Sequence, residues 1–196
     1  MSERASHERP RVDVRVGSAT DGLTPISYAE RPLGASLVQW GALAAVALAA
    51  AGADQLTKHI VTGRLRLDEQ VHVVGPLWIH HVQNSGIAFG LFASATPVVI
   101  LLTGIAVAWM LGFFARSGAR HPILPVSLGL VIGGSVSNLV DRVRLGHVTD
   151  FLDLRFWPAF NLADTFICVG VAILLFTLVS ADLPRPRRFD APGARS

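Results

Sequence analysis

Four stretches of this chain carry no Asp, Glu, Lys or Arg: residues 32–53, 97–115, 122–140 and 165–181. Each is close to the roughly 20 residues that a helix needs to cross a ~30 Å hydrocarbon core. The mean hydropathy of +0.48 and a charged fraction of only 16% point the same way, because soluble domains carry more charge. The expected fold class is a membrane protein, mainly α, with four transmembrane helices.

The charged residues are distributed accordingly. Of 17 Lys and Arg, 11 lie in the two tails or in Arg116–Arg120. That suits membrane topology better than a nucleic-acid surface, so no nucleic-acid partner is expected. The positive-inside rule puts both termini and the 116–121 loop in the cytoplasm. Residues 1–34 read as a mobile cytoplasmic tail and 184–196 as a basic cytoplasmic one. The first apolar run ends in small residues, Ala49-Ala50-Ala51-Gly52-Ala53, as a cleavable signal peptide would. It is longer than a signal core, and Asp54 and Lys58 follow directly, so an uncleaved helix over about 35–57 is expected.

Segments 58–96 and 141–163 then fall on the outer face. Val71–Val74 and Leu77–Val82, split by Gly75-Pro76, read as two short strands. Open strand edges do not sit in lipid, so a small extracytoplasmic β element is expected between helices 1 and 2. His80 and His81 are adjacent, so on a strand they point to opposite faces, and no Cys/His/Glu set joins them in a metal site. Trp78 and Trp157 read as interfacial anchors. Cys168, the only cysteine, sits in the last apolar run and reads as a packing residue.

The chemistry-bearing residues converge on one level. Asp54, Lys58, Asn84, Asp141, Arg142, Asp150, Asn161 and Asp164 all fall near the outer membrane boundary. Ionisable groups there are costly and mark functional sites. Each has a bland reading. Asp54 and Lys58, at i and i+4, form an ordinary interfacial ion pair on spacing alone. Asp141 and Arg142 form a local ion pair at a helix end. Asn161 caps a helix whose first turn holds Asp164, which leaves Asp150 unexplained. Asp153 reads as a solvated bystander. A proton-relay or transport protein would place acids inside helices and show an internal repeat; the acids cluster at one boundary and no clear repeat is seen.

Three motifs carry a specific resemblance: Asn138-Leu139-Val140-Asp141-Arg142, Gly146-His147-Val148-Thr149-Asp150-Phe151 and Phe160-Asn161-Leu162-Ala163-Asp164. With Asp54-Gln55-x-x-Lys58 and Asn84-x-Gly86-x-Ala88-Phe89, they resemble, in order, the lipoprotein signal peptidases (signal peptidase II), bacterial intramembrane aspartic proteases. Ser137 stands where that family usually has glycine. The resemblance implies a four-helix peptidase domain over 35–183 in the bacterial inner membrane. It implies Asp150 and Asp164 as the catalytic pair, with no metal or other cofactor. Asn138, Asp141, Arg142, Asn161, Asn84, Asp54 and Lys58 are then substrate-binding or supporting residues. The implied partners are a diacylglyceryl-modified prolipoprotein and membrane lipid, and the enzyme is expected to act as a monomer. Asn84, with the apolar tip that follows it (Ile87, Phe89, Leu91 and Phe92), would form part of a lid or cradle over the site.

Overall fold

The computed structural model describes residues 34–86, 96–117 and 122–182. The two tails, the apolar tip at 87–95 and most of the basic loop lie outside those residues. Seven elements follow in order: α1 (Leu37–Arg64), β1 (Gln70–Val74), β2 (Leu77–Asn84), α2 (Thr96–Ser117), α3 (Leu124–Leu145), β3 (Val148–Asp153) and α4 (Leu162–Asp182).

Two helices run well past the ends of their charge-free stretches. α1 starts at a capping box, in which Ser36 Oγ accepts from Gln39 N–H and Gln39 Oε1 accepts from Ser36 N–H. It then continues past the expected end at residue 57, through Asp54 and Lys58, to Arg64. The physical reason is that these two charges do not face water: both are buried against α3. At 1.5 Å per residue the 28 residues of α1 span about 42 Å, more than a hydrocarbon core. α3 likewise passes its expected end at 140 and stops at Gly146. There φ reaches +80°, a left-handed conformation that glycine adopts freely, and the Gly146 N–H closes on the Arg142 carbonyl.

Three described helices, α1, α2 and α3, are long and apolar enough to cross a membrane by length and composition. α4 is apolar over the shorter stretch Leu162–Thr177. α3 is the central helix: 67% of its apolar window is buried, against 17% for α1 and 6% for α2. α1 and α2 leave large apolar side chains such as Leu48, Leu101 and Trp109 exposed, as helices facing hydrocarbon do. The core gathers Leu43, Phe114, Leu124, Leu128 and Ile132, with Trp40 edge-on to Phe114 at 5.0 Å.

The β element is larger than expected. β1 and β2 form the anticipated hairpin, turning at Gly75, but β3 adds a third antiparallel strand in the order β1-β2-β3. β3 comes from between α3 and α4, not from the segment between α1 and α2. Its first four residues, Val148–Phe151, are all buried. Polar and apolar side chains are covered alike, so the alternation that marks a half-exposed strand is missing.

Glycines set how closely the helices approach. A Cβ on Gly133 would run into the Ala47 carbonyl of α1. A Cβ on Gly134, one position on, would lie 2.5 Å from the Ala163 carbonyl of α4. Small residues thus let α3 touch both neighbours backbone to backbone. Gly134→Val should therefore push α4 away and cost about 1–3 kcal/mol, the usual penalty of overpacking. A clearly lowered Tm in detergent is expected; an unchanged Tm would mean that the approach is not tight.

Candidate active site

The site begins with a charge that has no water to solvate it. Lys58, on α1, is buried. An ammonium has three N–H donors and no acceptor. Here all three find oxygen: Asp54 Oδ2 at 2.6 Å, Asp141 Oδ2 at 2.8 Å and Asn138 Oδ1 at 2.8 Å. Asp54 lies one turn back on α1; the other two lie on α3. Asp54 and Asp141 together outweigh Lys58 by one negative charge, and neutral donors offset the excess. Gln55 Nε2 donates to Asp141 Oδ1 at 2.7 Å. Ser137 Oγ donates to Asp54 Oδ2 at 2.7 Å, and the Ala163 N–H donates to Asp54 Oδ1 at 2.9 Å.

Asn138 carries this brace toward the two remaining acids. Its amide oxygen faces Lys58, so its Nδ2 faces the other way and donates to Asp164 Oδ1 at 2.9 Å. Asn161 does two jobs at the start of α4. Its Oδ1 accepts the Asp164 N–H at 3.0 Å, while Asp164 Oδ2 accepts the Asn161 N–H at 3.2 Å. That is a reciprocal cap of the helix start, built from Asn and Asp. Its Nδ2 also donates to Asp150 Oδ1 at 2.7 Å and contacts Asn138 Oδ1 at 3.1 Å. Asp150, on β3, takes its second donor from Asn84 Nδ2 of β2 at 2.9 Å. Every oxygen of both carboxyls therefore has a donor, from β2, α3 and the start of α4.

Asp150 and Asp164 line one cavity of about 390 Å³. Asn84, Asn138 and Arg142 line it with them. The Arg142 guanidinium donates to the Gly86 carbonyl at 3.0 Å, and its Nε is buried without a partner among the described residues. Apolar walls come from Val99 of α2, Val148 of β3, Ile167 of α4 and the Trp157–Phe160 connection. Burial pushes the Asp150 carboxyl up to about 6. The Asn84 donation works against the rise, the neighbouring Asp164 charge adds to it, and Asn161 and Lys58 oppose it.

The anticipated site residues divide into two groups. Asp150, Asp164, Asn138, Arg142 and Asn84 share the cavity, with Asn161 buried behind it. Asp54, Lys58 and Asp141 form the brace and do not line that cavity. Asp54–Lys58 is thus a buried pair, not an interfacial one. Asp141 turns to Lys58 and Gln55, and Arg142 to Gly86, in place of a local Asp141–Arg142 pair. Asp153 does not line the cavity; it meets His80 Nδ1 at 3.1 Å and accepts the Arg155 N–H at 2.7 Å, so it is paired and not merely solvated. Trp78 packs under Arg155 at 4.0 Å, while Trp157 lines the cavity. Cys168 is exposed and also lines the cavity, so it is not a packing residue. Gln55 and Ser137 were not anticipated as site residues. The signal for Gln55 was its place beside Asp54 on α1; for Ser137, its place beside Asn138 on α3.

Known proteins share this architecture. The family described as signal peptidase (SPase) II matches residues 46–180. The lipoprotein signal peptidase of Moorella thermoacetica is 40% identical over 135 residues, covering 68% of this chain and 90% of that protein. The one from Syntrophotalea carbinolica is 39% identical over 147 residues, covering 71% and 91%. A solved structure described as a bacterial membrane enzyme superposes with a TM-score of 0.69 at 25% identity, covering 75% of this chain and 91% of that one. With the family match taking in the sheet and every residue of the brace and cavity, the chain belongs to the signal peptidase II family, the lipoprotein signal peptidases.

Proposed function

We propose that this protein is an aspartic endopeptidase that removes the signal peptide from diacylglyceryl-modified prolipoproteins, cutting just before the lipid-bearing cysteine. Asp150 and Asp164 are the catalytic pair. The observation that carries this reading is the pair itself: two carboxyls, each held by amide donors, on one cavity with mixed polar and apolar walls. Family membership supports the substrate class.

The chemistry follows from two carboxyls in one site. Both do not ionise easily together, so they share one proton and titrate as a pair. The ionised partner takes a proton from water as the water oxygen attacks the scissile carbonyl. The protonated partner gives its proton to the carbonyl oxygen, forming a neutral gem-diol. The newly protonated carboxyl then gives its proton to the leaving nitrogen while the other carboxylate takes one from a gem-diol hydroxyl, so the C–N bond breaks and the pair again holds one shared proton. Asn138 and Asn161 hold the acids in place. Arg142 and Asn84 offer donors to the substrate backbone. Asp54, Lys58 and Asp141 support the site from behind.

In this reading all four helices cross the bacterial inner membrane, α4 being the fourth. Residues 35–183 are the peptidase domain, with both tails cytoplasmic and the sheet and site at the outer face. The protein acts as a monomer. The acyl chains of the substrate stay in the bilayer while its peptide enters the cavity from the side of the acids.

Three outcomes are expected. Asp150→Asn and Asp164→Asn should each lower cleavage of a diacylglyceryl-modified substrate by at least about a hundredfold without changing elution or Tm. Full activity in either variant would sink the assignment. On pH, the Asp164 charge helps to raise Asp150, so Asp150 holds the shared proton and loses it as pH rises through about 6, which leaves the pair without its acid. The kcat/KM profile should therefore fall on its alkaline side near pH 6. Asn84→Ala removes a donor that favours the ionised form, so that limb should move to higher pH; an unmoved limb would argue against Asp150 as the titrating group. For topology, Ser117→Cys and His147→Cys are placed in a Cys168→Ser background and exposed to an impermeant maleimide on spheroplasts. Only His147→Cys should label before permeabilisation, and labelling of both or neither would refute the orientation.

A further inference from the structure

We propose that the Ser137 hydroxyl is a positioning residue for the aspartate pair, acting through Asp54 and Lys58; the proposal rests on the peptidase reading above. Ser137 is 1% exposed and sits on α3 between the glycines that contact α1 and α4 and the asparagine that contacts Asp164. A hydroxyl has one proton to give. Gln55 Nε2, 3.0 Å away, is itself a donor, so Ser137 Oγ accepts from it and its own proton goes to Asp54 Oδ2 at 2.7 Å. The direction of the hydroxyl is therefore set by its neighbours.

Asp54 is the carboxylate from which two routes lead to Asp164. One route runs through the backbone: Asp54 Oδ1 accepts the N–H of Ala163, the residue before Asp164. The other runs through side chains: Asp54 Oδ2 holds Lys58, Lys58 holds Asn138 Oδ1, and Asn138 Nδ2 donates to Asp164 Oδ1. Ser137 and Lys58 share the same oxygen of Asp54. The serine thus helps to set the torsion of the Asp54 carboxylate and, with it, the place of the ammonium. The ammonium in turn fixes which way the Asn138 amide faces. A flipped Asn138 would turn an NH2 group toward Lys58 and toward Asn161 Nδ2, donor against donor. It would also take its N–H away from Asp164.

Another serine supplies the control. Ser127 lies on the same helix, is equally buried and, among the described residues, its hydroxyl bonds only to carbonyls of its own helix start, Ile123 and Leu124. Removing its hydroxyl changes packing and polarity to a similar degree without touching Asp54.

The test is steady-state cleavage of a diacylglyceryl-modified substrate by the full chain in lipid. Wild type is measured first, since failure of wild type to cleave would overturn the peptidase reading and not this one. Ser137→Ala should lower kcat about tenfold, the size of one lost hydrogen bond in a buried network, with KM within about twofold. Ser127→Ala should leave kcat within about twofold of wild type. Ser137→Gly removes the same oxygen and gives the same comparison if the alanine variant does not fold. Unchanged kcat in the folded Ser137 variant, a change in KM alone, or an equal kcat loss in Ser127→Ala would each overturn the proposal.

Discussion

A lysine ammonium enclosed by two carboxylates and one amide oxygen is the constraint on which this structure turns. Lys58 could not be buried alone, because desolvating an ion costs several kcal/mol that only well-placed partners recover. Its three donors demand three acceptors, and those come from α1 and α3. The acceptors bring one surplus negative charge, which demands further donors. Gln55, Ser137 and the Ala163 backbone supply them. Satisfying one charge thus ties together α1, α3 and α4. Loss of one partner from such a buried pair typically costs about 3–5 kcal/mol, far more than a surface pair contributes.

Asn161 shows how a capping residue can also be a site residue. As a cap alone it satisfies the exposed N–H groups at the start of α4. Its side-chain oxygen does that, which leaves its NH2 free to turn toward Asp150 and Asn138. One amide therefore joins a helix start, a strand and the central helix. The two readings of Asn161 available from sequence were not rivals; they describe the two ends of the same side chain.

Much of the architecture was legible because it follows from one-dimensional patterns. Charge-free runs located the helices, and Gly75-Pro76 located the hairpin. The acids at the run ends, Asp141 and Asp164, pointed to side chains that the fold places in the brace and on the cavity. What was not legible depends on pairing across the fold. Asp54 and Lys58 look like a surface pair at i and i+4, since their burial depends on α3. Asp141 and Arg142 look like mutual partners, since Lys58 and Gly86 are far away in sequence. β3 hides its character because it is covered on both faces. The expected helix ends at 57 and 140 fell several residues early, because a buried charge does not stop a helix.

The steric and polar arrangements meet at Ala163. Its carbonyl abuts Gly134, where no Cβ fits, and its N–H is held by Asp54. Its side chain is fully buried. The residue before Asp164 is therefore pinned on one side by packing and on the other by a carboxylate. Packing alone would set the distance between α3 and α4 but not the rotation of α4 about its axis. Hydrogen bonds alone would set the rotation but tolerate a gap. With both, the first turn of α4 has one position, and Asp164 is carried to the cavity that Asp150 reaches from β3.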